Sequence, residues 1–127
     1  MVFTDDGRQF VAWSLGSNVG NFIAHVGIGI GSATVLATDS TLVTEKNRTA
    51  ITGSPDFSTS LKVNFQADFN SVQMSGLKLT EFGLFNVASG TGFAGSVWQR
   101  EGFGSVTFDG TNELQILSTL EVLPSGA

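Results

Sequence analysis

Only a few side chains in this sequence could take part in acid–base or nucleophilic chemistry. His25 is the single histidine, and it lies among apolar residues and glycines in a segment with strand periodicity. A Ser–His–Asp triad would have to use it, and a histidine-based metal site would need a second histidine. There is no cysteine, which excludes cysteine nucleophiles and zinc–thiolate sites. We therefore predict no catalytic residue, no metal site and no cofactor.

Glu81 is a carboxylate within an apolar strand pattern, and such a group is costly to bury without a partner. An Arg–carboxylate pair satisfies both groups through two parallel hydrogen bonds, and Arg48 is the partner that we predict. Together with Glu45, this gives a structural ion pair that holds the 41–48 segment to the sheet. A catalytic role for Glu81 would require a second acid or base nearby, which the pattern does not supply.

Gly27, Gly29 and Gly31 alternate with isoleucines and could be compared with a nucleotide-binding loop. The dinucleotide fingerprint places its glycines in a turn between a strand and a helix, and a P-loop needs Gly-Lys followed by Ser or Thr. Here the glycines lie inside a strand, so we predict no nucleotide site. Bare backbone on one strand face lets another chain or a large side chain pack closely against it.

Composition narrows the range of partners. The chain has 127 residues, which predicts one domain over residues 1–127. Its net charge is −5 with six Lys and Arg in total, whereas nucleic acids and anionic membranes attract clustered basic residues. We predict neither as a partner. Charged residues make up only 13% of the chain, so much of its surface must be neutral, which suits packing against other proteins.

Periodicity predicts a mainly β chain with one short N-terminal helix. The helix is expected at residues 4–16, with Thr4 or Asp5 as its N-cap and acidic residues that suit the helix dipole. Strands are expected at 22–31, 49–52, 57–69 (odd-numbered residues inward), 77–86, 93–98, 104–108 and 114–123, with a hairpin turn at Asp109-Gly110. About seven strands with turn signals at this spacing are typical of an antiparallel β-sandwich.

The order of several short motifs adds a resemblance. Asp39, Leu42, Glu45 and Arg48 follow the pattern D-x-x-L-x-x-E-x-x-R, and after it come E-F-G-L-F-N at 81–86, Ser89-Gly90, and a strand with Arg100 near its end. In this order the motifs resemble a family of small virion proteins of tailed phages and related archaeal viruses, described as tail-fibre, collar or minor structural proteins. The resemblance covers nearly the whole chain. It implies a β-sandwich that assembles in the virion and has no catalytic residues. The glycine-rich strand departs from the family, because it reads Gly-Ile-Gly-Ile-Gly where Gly-Thr-Gly is more usual.

The function expected from this resemblance is that of a non-enzymatic structural component of a tailed virus particle, in its tail, collar, fibre base or capsid decoration. The protein would be assembled in the host cytoplasm and located in the virion. It would bind other virion proteins and copies of itself, as a trimer by analogy with fibres. The 77–86 strand is apolar on both faces and would be buried on both sides. The interface candidates are therefore Phe82 and Leu84 together with Gly27, Gly29 and Gly31.

The alternative is a carbohydrate-binding or host-adhesion module of a virion or cell surface. Trp98 is the residue that would stack on a glycan ring in that case. An exposed Trp98 would support this alternative, and a buried Trp98 would count against it. A third function, that of a small hydrolase, needs a catalytic pair that the sequence does not show.

Overall fold

Two antiparallel sheets and one N-terminal helix make up most of the chain. The computed structural model describes residues 2–16, 23–53, 55–56, 61–87 and 97–121. Within these ranges the elements are β1 (Val2–Phe3), α1 (Asp5–Gly16), β2 (His25–Gly29), β3 (Glu45–Ala50), β4 (Lys62–Phe69), α2 (Ser71–Met74), β5 (Lys78–Phe85), β6 (Gln99–Thr107) and β7 (Leu114–Glu121). The prediction of a mainly β chain with a short N-terminal helix is confirmed.

The first sheet has five strands in the order β1-β6-β5-β2-β3, and the second consists of β4 and β7. All the pairings are antiparallel. The middle strand of the first sheet is β5, the one whose sequence is apolar on both faces. The structure therefore buries both faces of β5 within a single chain, because the second sheet covers one of them and residues 31–44 cover the other. We call residues 31–44 the covering segment.

The two sheets share one hydrophobic core. Its buried members include Val26 and Ile28 of β2, Leu79 and Leu84 of β5, Phe65, Ala67 and Phe69 of β4, and Trp98 ahead of β6. The alternation predicted over 57–69 is confirmed at three core residues of β4, while residues 57–60 lie outside the described ranges. It is wrong at Leu61, which is 67% exposed and has a φ of 64°. That residue precedes the strand, so its left-handed backbone turns the side chain out of the alternating series.

The helix α1 begins at a cap made by Thr4, whose Oγ1 accepts a hydrogen bond from the backbone N–H of Gly7 at 3.0 Å. Thr4 also fixes the helix to the residues that lead into β6, because its hydroxyl donates to the carbonyls of Val97 and Trp98. Of the two predicted caps, Thr4 is thus confirmed. Asp5 is instead the first helical residue, and it forms an exposed ion pair with Arg8.

The predicted hairpin at Asp109-Gly110 is wrong. The turn chemistry is present, since Gly110 has a φ of 95° and the Asp109 carboxylate accepts a hydrogen bond from the backbone of Thr111 at 2.9 Å. However, β6 and β7 belong to different sheets, so the turn carries the chain from one sheet to the other. Turn residues determine where the chain reverses, but they do not determine whether the flanking strands pair.

The remaining differences concern bounds and short segments: β3 spans Glu45–Ala50 where a strand was expected at 49–52, and β6 spans Gln99–Thr107 where one was expected at 104–108. Residues 93–96 of the predicted 93–98 strand lie outside the described ranges, and Val97 and Trp98 are not in a strand, because β6 begins at Gln99. The helix α2 was not predicted. It begins at a capping box in which Asn70 and Gln73 each accept the other's backbone N–H at 2.9 Å, a pattern that is visible in the sequence.

Candidate functional site

The outer face of the five-stranded sheet carries a buried ion pair between neighbouring strands. Glu81 of β5 lies opposite Gly102 of β6, and Arg100 lies two residues along β6 from that glycine. The Nε atom of Arg100 donates to Oε1 of Glu81 at 3.1 Å, and the two side chains are 1% and 0% exposed. This pair is the most deeply buried charged contact in the described part of the chain.

Three backbone N–H groups of the covering segment complete the hydrogen bonding of Glu81. Oε2 accepts from Gly31 at 2.8 Å and from Thr44 at 2.9 Å, and Oε1 accepts from Val43 at 2.9 Å in addition to Arg100. Each carboxylate oxygen therefore accepts two hydrogen bonds. A carboxylate can be kept in a dry interior when donors fill its lone pairs in this way. The same bonds attach both ends of the covering segment to β5.

Arg100 attaches the middle of the covering segment. Its Nη1 forms an ion pair with Oδ2 of Asp39 at 2.9 Å, and Nη2 donates to the carbonyl of Ala33 at 3.1 Å. The Asp39 carboxylate also accepts the backbone N–H of Leu36 at 2.8 Å, which closes a turn in the segment. One guanidinium thus joins a strand residue to two parts of the segment that lies over it. A fork of rigidly placed N–H donors suits this role better than a lysine would.

Gly27 and Gly29 of β2, with Gly31 at the start of the covering segment, provide the space that this arrangement needs. A Cβ on Gly29 would lie 2.7 Å from Oε2 of Glu81, and one on Gly31 would lie 2.5 Å from the same atom. A Cβ on Gly27 would lie 2.7 Å from the ring of Phe85. Close packing against the bare face is confirmed, but its source is a large side chain of the same molecule. The prediction of a partner at these three glycines is wrong, because all three are buried beneath the chain's own residues.

The predicted pair between Arg48 and Glu81 is also wrong. Arg48 lies opposite Gly27 on β2, and Gly27 lies opposite Gly83 on β5, so two strand spacings, about 10 Å, separate Arg48 from β5. Arg48 instead pairs with Glu45 through two hydrogen bonds of 2.9 and 2.6 Å. Its guanidinium carbon also lies 3.5 Å from the centre of the Phe85 ring, in a cation–π contact.

The spacing of three in the D-x-x-L-x-x-E-x-x-R motif therefore has a structural meaning. Asp39 binds Arg100, and Leu42 is buried in a small cluster with Phe85 and Val97. Glu45 then binds Arg48 in β3. The first two contacts attach the covering segment to the outer face of the first sheet, whereas the third is an ion pair within β3. Arg100 is the residue that pairing arguments from the sequence missed, although the motif order had already drawn attention to it.

Two further interface or binding candidates are buried. Leu84 is 0% exposed and belongs to the core between the sheets, so it cannot contact a partner. Trp98 is 4% exposed and stacks on Phe10 with ring centroids 5.1 Å apart, which makes glycan stacking on it wrong. Phe82 is half-buried beside the ring of Phe103, 6.2 Å away, and its role as an interface residue stays a prediction.

His25 lies at the start of β2, half-buried, and its Nδ1 has no hydrogen-bond partner in the described parts of the chain. Burial lowers the pKa of its imidazole below 6.5, and the nearby positive charge of Arg48 lowers it further. The carboxylate of Glu81, on β5, already accepts four hydrogen bonds from other groups. The structure therefore does not join His25 and Glu81 into an acid–base pair. No group of three or more metal-ligating side chains occurs in the ranges that the structure describes.

None of the described helices is long and apolar enough to span a bilayer. Comparison of the chain with protein-family models, with curated proteins and with solved structures found no match.

Proposed function

We propose that this protein is a non-enzymatic structural component of a tailed virus particle, built as a β-sandwich that associates with copies of itself and docks to other virion proteins. It would be assembled in the host cytoplasm and occupy the tail, collar, fibre base or capsid surface. The proposal combines the motif order with one structural observation, the presence of two uncharged strand edges on the same side of the molecule.

The first of these edges belongs to β6. β1 pairs only with Gln99 and Arg100, so among the described residues no strand pairs with the outer side of β6 from Gly102 to Thr107. That stretch has no charged residue, and its apolar side chains Phe103 and Val106 are 38% and 47% exposed. An exposed edge with neither charge nor proline favours pairing with a further strand.

The second edge belongs to β7. This strand pairs with β4 over its full length, and no described strand covers its other side. It is uncharged from Leu114 to Leu120. Between the two open edges lies an apolar cavity of about 150 Å³, lined in part by Phe82 and Phe103 from the first sheet and by Leu114 and Ile116 from β7. Covering this side would remove apolar surface from water.

The opposite side of the molecule is protected. The edge strand β3 carries Glu45, Lys46 and Arg48, and charges on an edge oppose pairing. The free side of β4 is partly covered, since Thr52 donates to the carbonyl of Gln66 at 2.6 Å and Asp56 forms a bridge with Asn64. The contrast between the two sides supports association through the β6 and β7 side. The ionic groups of the outer face, by comparison, are used within the chain to hold the covering segment.

The virion assignment is tested by fractionating tailed particles from the host that produces this chain. Particles banded in a density gradient should contain the protein at a fixed ratio to the major virion proteins, as measured by quantitative mass spectrometry. A soluble host enzyme serves as the control for carry-over. The proposal fails if the chain stays with that enzyme in the unbanded lysate.

A further inference from the structure

β7 carries a buried polar group that has no hydrogen-bond partner among the residues that the structure describes. The Oγ of Ser118 lies in a side chain that is 4% exposed, and it makes no hydrogen bond. A buried hydroxyl without a partner costs about 1–3 kcal/mol, so such groups are rare. Ser118 lies near the middle of the uncharged stretch of β7, on the edge that no described strand covers.

We propose that the β7 edge pairs with the β7 edge of a second copy, in antiparallel orientation, about a two-fold axis beside Ser118. This inference rests on the self-association in the proposed function and names its surface and its partner. The two sheets formed by β4 and β7 would then join into one sheet of four strands. A two-stranded sheet is marginal by itself, and additional strands stabilise it.

A two-fold axis perpendicular to the sheet places each strand opposite itself in reverse direction. The side chains of Ile116, Ser118 and Leu120 face inward on β7, whereas Leu117 and Thr119 face outward. Because directly opposite residues share a face, inward residues must meet inward residues. With Ser118 at the axis, its hydroxyl lies next to the hydroxyl of the second copy, and each can hydrogen-bond the other.

Charge favours a two-fold axis at Ser118 over one at Leu117. With the axis at Leu117, Glu121 would face Glu113 of the second copy, and like charges directly opposite each other destabilise a sheet. With the axis at Ser118, Glu121 faces the amide of Gln115 instead. The uncharged stretch is also the region where two chains of net charge −5 meet with the least repulsion. A second copy thus satisfies both the backbone of the edge and the unpaired hydroxyl.

A two-fold pair is the unit that this edge builds. The trimer expected by analogy with fibres would have to use other surfaces, because an isologous contact joins two copies only. Other virion proteins remain available to bind the neighbouring β6 edge.

The absence of cysteine from the chain allows a direct test by cross-linking. Ser118→Cys places two thiols across the axis with Cα atoms about 4.5–5.5 Å apart, within the range that a disulfide spans. We expect this variant to form a disulfide-linked dimer under mild oxidation. Leu117→Cys and Thr119→Cys, which would report the two adjacent registers, and the exposed control Ser75→Cys should remain monomeric on a non-reducing gel.

A second pair of variants tests the edge without a covalent bond. Leu117→Lys adds a charge beside the axis on a side chain that is already 69% exposed, and we expect it to raise the dimer dissociation constant at least tenfold. Val72→Lys, at an 84% exposed position on α2, is the matched control and should leave the constant unchanged. Ser118→Ala should weaken the dimer about 2- to 10-fold without lowering monomer stability, since it removes a hydroxyl that is unpaired in the monomer.

The outcomes separate the inference from the function on which it rests. Association of the wild-type chain with no cross-link at Ser118→Cys and no effect of Leu117→Lys would overturn the β7 surface while leaving self-assembly in place. A wild-type chain that stays monomeric at every concentration would overturn both.

Discussion

The Nε atom of Arg100 lies 3.1 Å from Oε1 of Glu81, in a place where neither side chain reaches solvent. The two residues come from adjacent strands, β6 and β5, and between them they bind six groups of the covering segment. These are the N–H groups of Gly31, Val43 and Thr44, the carbonyls of Ala33 and Thr34, and the carboxylate of Asp39. Breaking this pair should therefore release the covering segment as well as remove one contact.

Glu81→Gln should reduce the free energy of unfolding by about 3–5 kcal/mol, the usual effect of removing one partner of a buried ion pair. The variant leaves Arg100 buried with less compensating charge, and an amide nitrogen replaces one acceptor. Urea denaturation measures the change. Glu113→Gln, at an exposed carboxylate, is the control and should change stability by less than about 0.5 kcal/mol.

Hydrogen exchange at individual amides shows which part of the fold Glu81→Gln loosens. The amides of Gly31, Val43 and Thr44 should be protected in the wild type and should exchange faster in Glu81→Gln, while amides in the β4–β7 pair keep their protection. Uniform acceleration across both sheets would show that the ion pair supports the whole fold equally, which would contradict a specific role in holding the covering segment.

Gly29→Ala and Gly31→Ala should each destabilise the protein by about 1–3 kcal/mol, because the new methyl group would overlap the Glu81 carboxylate and, still more closely, the carbonyl of Thr44 or the side chain of Val43. Gly104→Ala is a matched control, since a Cβ at that position meets no atom within 4 Å. Thermal melts of the three variants check the prediction. Equal melting temperatures for Gly31→Ala and Gly104→Ala would contradict the close packing described around Gly31.

Leu42→Ala should reduce the free energy of unfolding by about 2–4 kcal/mol, because it leaves a cavity between Phe85 and Val97 beneath the covering segment. Leu36→Ala provides the comparison within the same segment, since Leu36 is 53% exposed and its loss should have little effect. Chemical denaturation of both variants measures the difference. If both variants lost a similar amount of unfolding free energy, Leu42 would not anchor the covering segment.

Stability should depend on pH through His25. Its pKa is lowered in the folded state, by burial first and by Arg48 second, so folding favours the neutral imidazole. The contribution is fully present above the unfolded pKa near 6.5 and is lost as the pH falls through the lowered folded value. Wild-type protein should therefore lose more stability than His25→Gln between pH 7.5 and pH 5, as measured by urea denaturation. Parallel losses in the two proteins would contradict this.

Much of the secondary structure follows from local pattern. The alternation predicted over 57–69 contains β4, the apolar run predicted at 77–86 contains β5, and Thr4 predicts the start of α1. The same reasoning could not pair the strands. The Asp109-Gly110 turn is read correctly as a reversal, yet the strands on either side join different sheets. Strand partnership depends on which faces can be buried together, and that is a property of the whole chain.

The candidate site shows the same limit. Burial of Glu81 and its need for an arginine follow from the apolar strand around it, and the structure confirms both. The choice between Arg48 and Arg100 requires the strand order, because β2 lies between β3 and β5 while β6 adjoins β5 directly. Distance along the sequence does not decide between the two arginines, because strand order determines which residues meet across a sheet.

Self-association is the central claim, and the solution mass of the purified chain tests it most directly. Multi-angle light scattering should be recorded over a hundredfold range of concentration. We expect a mass of twice 13.3 kDa or a higher even multiple, stable over the upper part of that range. A mass of 13.3 kDa at every concentration would contradict the account.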